Sequence, residues 1–251
     1  MTVPYLMESA SEHAAALDGV LAAIHWHMLV LALGWGALFL YALIRFRRRA
    51  HPVADHRGLR GPWPALAIAA VIVGDVVVLA ASALPAWIAR ISPPPPRSAP
   101  LAIRVIGEQF AWNVHYPGPD GVFGPTSAAR ISASNPLGID RADPRGRDDV
   151  GVLNVLVLPV GRTVVIELGS RDVVHAFTLP QMRVKQDMVP GMTTRTWFTP
   201  VREGRWEIVC SQLCGLGHYR MKGEYAAVPD AEWRAWMENE QRLLSAARDR
   251  P

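Results

Sequence analysis

The sequence predicts a membrane-anchored all-β protein, in which a helical hairpin precedes a β-sandwich or Greek-key barrel. Two long apolar runs, at 21–44 and 64–88, each have the length needed to cross a bilayer. After them, short runs rich in β-branched and aromatic residues alternate with turn residues, which indicates strands without intervening helices. The sequence therefore divides into a hairpin at 1–92, a proline-rich linker at 93–100 and a β-domain at 101–251.

The two apolar runs are interpreted as transmembrane helices. Both are too long for a cleaved signal peptide, and the first has no positively charged front. The second run is interrupted only by Asp75, which is predicted either to serve a proton route or to make a polar contact with another helix. The histidines of the first run, His25 and His27, are interpreted as interface or packing residues.

The charges around the two runs predict their orientation. The connection at 45–60 carries six arginines and one acidic residue, whereas the tail before Leu21 carries three acidic residues and no basic one. Because positive charge stays on the cytoplasmic side, both ends of the chain are expected outside, in the inner membrane of a bacterial-type cell. The arginine cluster also explains much of the high pI of about 9.4, so no nucleic-acid partner is inferred.

The β-domain is predicted to hold seven strand-forming runs and a terminal helix. Residues 117–150 interrupt the strand rhythm with glycine, proline, aspartate and arginine. They are expected to form a loop, either a functional or partner-contact insertion or a disordered excursion. A helix is predicted after Asp230, its N-cap. The strand runs lie at 101–116, 153–160, 162–170, 175–180, 194–200, 204–210 and 222–228.

Both cysteines of the chain lie in one run, CSQLCGLGHYRM, at 210–221. The spacing of Cys214, His218 and Met221 alone is that of a blue-copper loop, with a thiolate, an imidazole and a weak thioether. The second imidazole of such a site must come from an earlier strand, and His175 stands at the start of one.

The additional cysteine, Cys210, permits a second metal ion. Two thiolates can each bridge two coppers, with His175 and His218 on one copper each and with Met221 and the backbone carbonyl of Gln212 as weak ligands. A disulfide is the first alternative in an oxidising compartment, although it would close only a very small loop. A thioredoxin-like copper chaperone is a further alternative, but it requires βαβ units that the sequence does not predict.

These motifs resemble subunit II of the haem–copper terminal oxidases, the cytochrome c oxidase family with the binuclear copper A centre. The resemblance extends from the hairpin through DVVHAFTLPQMRVKQDMVPG to CSQLCGLGHYRM and excludes 117–150. It implies a cupredoxin-like β-domain and a binuclear copper A centre. The implied ligands are all present: His175, Cys210, Gln212 through its carbonyl, Cys214, His218 and Met221.

The resemblance also implies a function and partners. The chain would accept electrons from a cytochrome c, or from a cytochrome-bearing membrane complex, and pass them to haem in subunit I, beside subunit III. Oxygen reduction and proton translocation would belong to the catalytic subunit, so no catalytic residue is expected here. The same module in a haem–copper nitric oxide reductase is the alternative. A tethered copper carrier and a quinol oxidase subunit fit the complete ligand set less well.

The sequence departs from the family pattern at three places. Gln212 replaces a glutamate that helps to bind magnesium, so a magnesium ion at the subunit interface is doubtful. Phe110 replaces the first tryptophan of the aromatic patch through which electrons arrive, whereas Trp112 is retained. Arg171 replaces an acid, and from Ile91 onwards 19 basic residues face 17 acidic ones. The donor is therefore expected to dock with little help from charge.

Overall fold

The computed structural model describes residues 7–53, 56, 58, 61–93 and 99–248. The described chain forms two compact units, one from Ala16 to Pro93 and one that joins Met7–Ala15 to the β-domain. Most of the predicted linker at 93–100, and Arg57 and Arg60 of the arginine cluster, lie outside the described residues.

The first unit consists of two helical spans that present apolar side chains on their surfaces. By length and composition both can cross a membrane, and they extend beyond the predicted runs at both ends. Pro85 lies in the first turn of the last helix and cannot donate a backbone hydrogen bond, which accounts for a π-helical turn just before it. The elements are α1 (Ala14–Arg45), α2 (Trp63–Val78), the π turn (Leu79–Ala83) and α3 (Leu84–Ile91).

Among its described residues, the second unit contains ten strands and a C-terminal helix. Two runs that were predicted as single strands contain breaks. The run at 101–116 forms two antiparallel strands joined by a tight turn. The run at 153–160 includes the last residue of one strand and the whole of the next. The elements are β1 (Leu101–Glu108), β2 (Ala111–Tyr116), β3 (Val150–Leu153), β4 (Val155–Pro159), β5 (Val164–Ser170), β6 (His175–Leu179), β7 (Val184–Met188), β8 (Thr194–Phe198), β9 (Gly204–Cys210), β10 (Lys222–Val228) and α4 (Asp230–Arg248).

The strands form two five-stranded sheets with the orders β3-β2-β1-β5-β8 and β4-β10-β9-β6-β7. The β1–β5 and β4–β10 pairs are parallel and the others are antiparallel. The core between the sheets is filled by large buried side chains such as Trp112, Tyr116, Phe177, Phe198 and Tyr225. Two apolar helices followed by a β-sandwich confirm the predicted fold class.

Residues 117–150 are folded against the sandwich around a buried carboxylate. Asp149 accepts hydrogen bonds from His115 Nε2 at 2.6 Å and from the backbone N–H of Gly124 at 2.9 Å and of Gly118 at 3.3 Å. His115 and Asp149 are both fully buried. Leu137 and Ile139 are also buried, so the segment contributes apolar side chains of its own.

The segment from Met7 to Ala15 belongs to the β-domain unit. Its backbone pairs with the domain through Ala10 N–H to Gln181 O (2.9 Å) and Glu12 N–H to Thr199 O (3.0 Å). The indole of Trp206 donates to the Glu8 carboxylate at 2.6 Å. The residues that precede the first span are therefore hydrogen-bonded to the β-domain. The sequence did not predict this contact.

Candidate metal centre

The predicted metal-binding residues lie at one end of the second sheet. His175 opens β6, and Cys210 ends β9, which lies between β6 and β10. The loop from β9 to β10 carries Cys214 and His218, and Met221 immediately precedes β10. Because β9 pairs with β6, with Phe177 opposite Cys210, the loop returns beside the start of β6. The sheet order therefore brings a distant histidine to the cysteine loop.

The donor atoms lie within contact of one another. The two cysteine sulfurs are 3.8 Å apart and are not joined in a disulfide. The sulfur of Cys210 is 4.0 Å from His175 Nδ1 and 3.1 Å from the carbonyl oxygen of Gln212. The sulfur of Cys214 is 3.6 Å from His218 Nδ1 and 3.7 Å from the sulfur of Met221.

This donor set fits copper. The 3.8 Å between the sulfurs is less than twice the ~2.3 Å bond that thiolates make to a metal such as zinc, so one ion can bind both sulfurs. Each thiolate has lone pairs for a second ion, and each lies beside a different imidazole. Thiolate, thioether and imidazole ligands favour copper over hard cations.

The Cys214 thiol holds its proton tightly when no metal is bound. Burial, and then the neighbouring Cys210, raise the pKa of Cys214 to about 11. A metal binds the thiolate, so metal binding must displace this proton at neutral pH.

Asp172 orients the imidazole of His175. Its Oδ1 lies 2.9 Å from His175 Nε2, which leaves Nδ1 directed at the sulfurs. Burial favours the neutral carboxyl, but hydrogen bonds from His175 and from the backbone N–H groups of Gln109 and Val173 outweigh it and lower the pKa of Asp172. An ionised Asp172 therefore accepts a hydrogen bond from Nε2–H, which fixes the tautomer that can bind a metal through Nδ1.

Residues at the β1–β2 turn support the cysteine loop. Gln109 donates from its side chain to the Cys214 carbonyl at 2.6 Å. The Phe110 ring lies so close to Gly217 that a Cβ there would be 2.4 Å from the ring. A glycine at 217 thus allows the aromatic ring to cover the loop.

Trp112 lies behind the site and is fully buried. Its ring makes edge contacts with His175 at 6.3 Å and with Phe177 at 5.7 Å between centroids. In the described structure, Trp112 therefore offers no surface to a docking protein, and of the two predicted aromatic residues only Phe110 is partly exposed.

The structure gathers all six predicted ligand positions, whereas Asp75 belongs to the other unit. The sequence interpretation gave no role to Asp172 or Gln109. The spacing of Asp172 and His175 is a weak signal, because an acid three residues before a ligand histidine can reach its ring. Gln109 reaches the Cys214 carbonyl because it lies in the turn of a hairpin. Since this hairpin was predicted as one strand, nothing in the sequence indicated the contact.

Comparisons with known proteins give a consistent result. Residues 101–228 match the family model described as cytochrome c oxidase subunit II, periplasmic domain. The chain is 40% identical over 140 residues to the alternative cytochrome c oxidase subunit 2 of Bradyrhizobium diazoefficiens, which covers 55% of this chain and 50% of that protein. It is 31% identical over 215 residues to cytochrome c oxidase subunit 2 of Cereibacter sphaeroides, and this match covers 80% of this chain and 68% of that protein.

Among solved structures, the chain is similar to the periplasmic domain of subunit II of cytochrome oxidase from Bradyrhizobium japonicum. The TM-score is 0.43 at 30% sequence identity, with 59% of this chain and 97% of that chain covered. The match to the Bradyrhizobium diazoefficiens relative spans about half of that protein's length.

Proposed function

The chain belongs to the cytochrome c oxidase subunit II family, and from that premise we propose that it is the electron-accepting subunit of a respiratory terminal oxidase. Electrons from a cytochrome c donor would reach a binuclear copper A centre on this chain and pass to haem in the catalytic subunit. The observation that carries the proposal is the pair of free sulfurs 3.8 Å apart, with an imidazole nitrogen beside each.

The ligands of the proposed centre are His175, Cys210, the Gln212 carbonyl, Cys214, His218 and Met221. When bound, a binuclear copper centre supplies reversible one-electron redox chemistry that is shared between two metals. The protein's part is to hold the donors in place with little movement. Asp172 fixes one imidazole, Gln109 fixes the loop carbonyl, and the rings of Phe110 and Trp112 exclude water from two sides.

The metal content tests this proposal. We expect two coppers per chain that share one unpaired electron in the oxidised protein, because the two thiolates can bridge both ions. Electron paramagnetic resonance should then show seven hyperfine lines, from two equivalent copper nuclei, together with a copper-to-protein ratio of two. A four-line spectrum with one copper in the intact chain would contradict the binuclear centre.

The chain is membrane-anchored with a periplasmic-type domain, and the proposed topology places both ends on the periplasmic side of the inner membrane. The N-terminal segment supports this topology because Ala10 and Glu12 pair with the backbone of the β-domain. The residues before the first span and the β-domain must therefore share a compartment. The arginines that follow α1, among them Arg47, Arg48 and Arg49, then lie in the cytoplasm.

Magnesium is not part of the proposed centre. The side chain of Gln212 is exposed and offers an amide oxygen without charge, which holds a hard dication poorly. Its backbone carbonyl remains available to copper, because that group does not depend on the side chain.

The docking face around the cysteine loop is proposed to be mainly apolar. Leu213, Leu216 and Tyr219 are strongly exposed on or just after this loop, and Phe110 covers it from the β1–β2 turn. Arg171, a charge that departs from the family pattern, is neutralised by an ion pair with Glu108. Apolar surface of this kind suits protein contacts, with subunit I and with a cytochrome donor.

We expect donor turnover to be reduced by Phe110→Ala and to depend only weakly on salt. Removal of the ring would uncover the loop and delete an apolar contact, whereas long-range steering by charge would make the rate fall steeply with ionic strength. Turnover of the complex with its native donor, measured across a range of salt concentrations, checks both points. A steep salt dependence with full activity in Phe110→Ala would show that the donor docks electrostatically elsewhere.

A further inference from the structure

The hairpin contains a polar pair that the copper centre does not use. His27 on α1 and Asp75 on α2 lie near the middle of their spans, and His27 Nε2 is 2.7 Å from Asp75 Oδ1. His27 was interpreted from the sequence as a packing or interface residue, and its interhelical partner lies 48 positions away. The surrounding helix surfaces are apolar, and this contact joins an ionisable group of α1 to one of α2.

The local structure makes room for the pair. A Cβ on Gly74 would lie 2.6 Å from the His27 ring, so only glycine at that position lets the imidazole lie against α2. Beside the pair is a cavity of ≈ 280 Å³. The other residues that line this cavity are uncharged: Ile24, Met28, Leu31, Val78, Leu79 and Ala83. The cavity reaches the π turn, an irregularity that is frequent at functional sites.

The exposure of the two side chains differs. The His27 side chain is 20% exposed, whereas the Asp75 side chain is 61% exposed and is reachable from the outside of the hairpin. The pair therefore has one closed side, at the imidazole, and one open side, at the carboxylate. A group that approaches from a neighbouring helix, or a water in the cavity, meets Asp75 first.

The membrane restricts the charge that this pair can carry. An ionised carboxylate alone in hydrocarbon costs several kcal/mol, and pairing with a protonated imidazole removes the net charge. One proton between the two groups gives a pair without net charge in either arrangement, a carboxyl O–H with a neutral imidazole or a carboxylate with an imidazolium whose Nε2 carries the proton. Transfer along the hydrogen bond breaks one of these bonds, forms the other and leaves the total charge unchanged.

We propose that His27 and Asp75 form a proton-binding site within the membrane that holds one proton and exchanges it through the open side of Asp75. The site goes beyond the electron-transfer function and requires no copper, only the folded hairpin in a bilayer. A proton that is closed off from water exchanges slowly, whereas exchange through the exposed side of Asp75 is fast, and this difference makes the proposal testable.

The experiment uses the full chain, without copper, in lipid nanodiscs and follows the infrared spectrum on transfer from H₂O to D₂O, with ¹³C-labelled aspartate to identify the carboxyl signal. Asp75→Asn preserves the shape of the side chain and removes the acid, and His27→Gln removes the imidazole. Gly74→Ala displaces the ring while both ionisable groups remain. His25→Gln is the matched control, because His25 is on the same helix and bonds only the Leu21 carbonyl among the described contacts.

We expect a labelled, deuterium-sensitive signal that exchanges within minutes in the wild-type chain and in His25→Gln. It should be absent in Asp75→Asn, and in His27→Gln and Gly74→Ala it should move to the frequency of a carboxyl without that partner. The proposal is overturned if the Asp75→Asn spectrum matches the wild type, or if the signal does not exchange over a day. It is also overturned if neither His27→Gln nor Gly74→Ala shifts the signal, because the proton would then not be shared.

Discussion

Substitution of Cys210 by serine is expected to reduce the copper content from two ions per chain to at most one and to abolish efficient electron transfer. The Cys210 sulfur is the atom that lies between the two halves of the site, 3.8 Å from Cys214 and 4.0 Å from His175 Nδ1. A serine hydroxyl is a poor copper ligand and cannot bridge two metals at neutral pH. What remains is the Cys214 thiolate with His218 and Met221 at 3.6 and 3.7 Å, and with His175, whose ligand nitrogen lies within 4.8 Å of the sulfur. Together these are the donor set of a single-copper site.

Replacement of a residue that only supports the ligands typically lowers activity by about 10–100-fold. Cys210 is itself a proposed ligand, so turnover in Cys210→Ser should fall by more than about 100-fold. Copper analysis and electron paramagnetic resonance should show at most one copper with four hyperfine lines. Met192→Leu is a suitable control because Met192 is exposed and does not contact the donor atoms among the described contacts. Two coppers and normal turnover in Cys210→Ser would show that Cys210 does not bridge.

The proposed ligands could be predicted as one cluster because most of them lie close together in sequence. Five of the six positions fall within CSQLCGLGHYRM, where soft ligands at loop spacing have few other uses. His175 could be added because it begins a recognisable strand, and the structure places that strand beside β9.

The parts of the structure that were not predicted depend on contacts between residues far apart in sequence. The hairpin turn at Gln109 lies inside a continuous run of strand-forming residues, so the run was interpreted as a single strand. β7 was missed because its sequence, VKQDM, places three polar residues in a row between two apolar ones and so lacks the enrichment in β-branched and aromatic residues that indicates a strand. The pairing of Met7–Ala15 with the β-domain had no local signal, because it forms only after the chain returns from the membrane.

The structure of residues 117–150 likewise depends on a contact between residues that are far apart in sequence. Their composition is rich in turn residues, which is compatible with both order and disorder. The decisive feature is the contact between Asp149 and His115. His115 lies two positions before the loop begins and 34 positions before Asp149. A buried carboxylate with three donors cannot be inferred from composition, because one donor is in β2 and the other two are at separate positions of the loop.

Asp149→Asn should therefore destabilise the β-domain and open the loop at 117–150. The carboxylate accepts from His115 at one oxygen together with Gly124, and from Gly118 at the other. An asparagine has one oxygen for these three donors, so its NH₂ group must face a backbone N–H, and the loss of charge weakens the bonds that remain. Because the site is fully buried, water cannot replace the lost acceptor, and we expect a cost of about 2–4 kcal/mol.

The free energy of unfolding of the copper-free full chain in detergent, measured by urea titration with tryptophan fluorescence, gives this cost directly. Protease cleavage within 117–150 should accelerate in parallel if the loop is released as well. Asp143→Asn is the matched control: Asp143 lies in the same loop, but its partner Arg145 is exposed, so its replacement should change stability little. If Asp149→Asn were no less stable than Asp143→Asn, the carboxylate would not organise the loop. A stability loss without faster cleavage would instead mean that the buried pair supports the sheet at β2 and β3 while other contacts hold the loop.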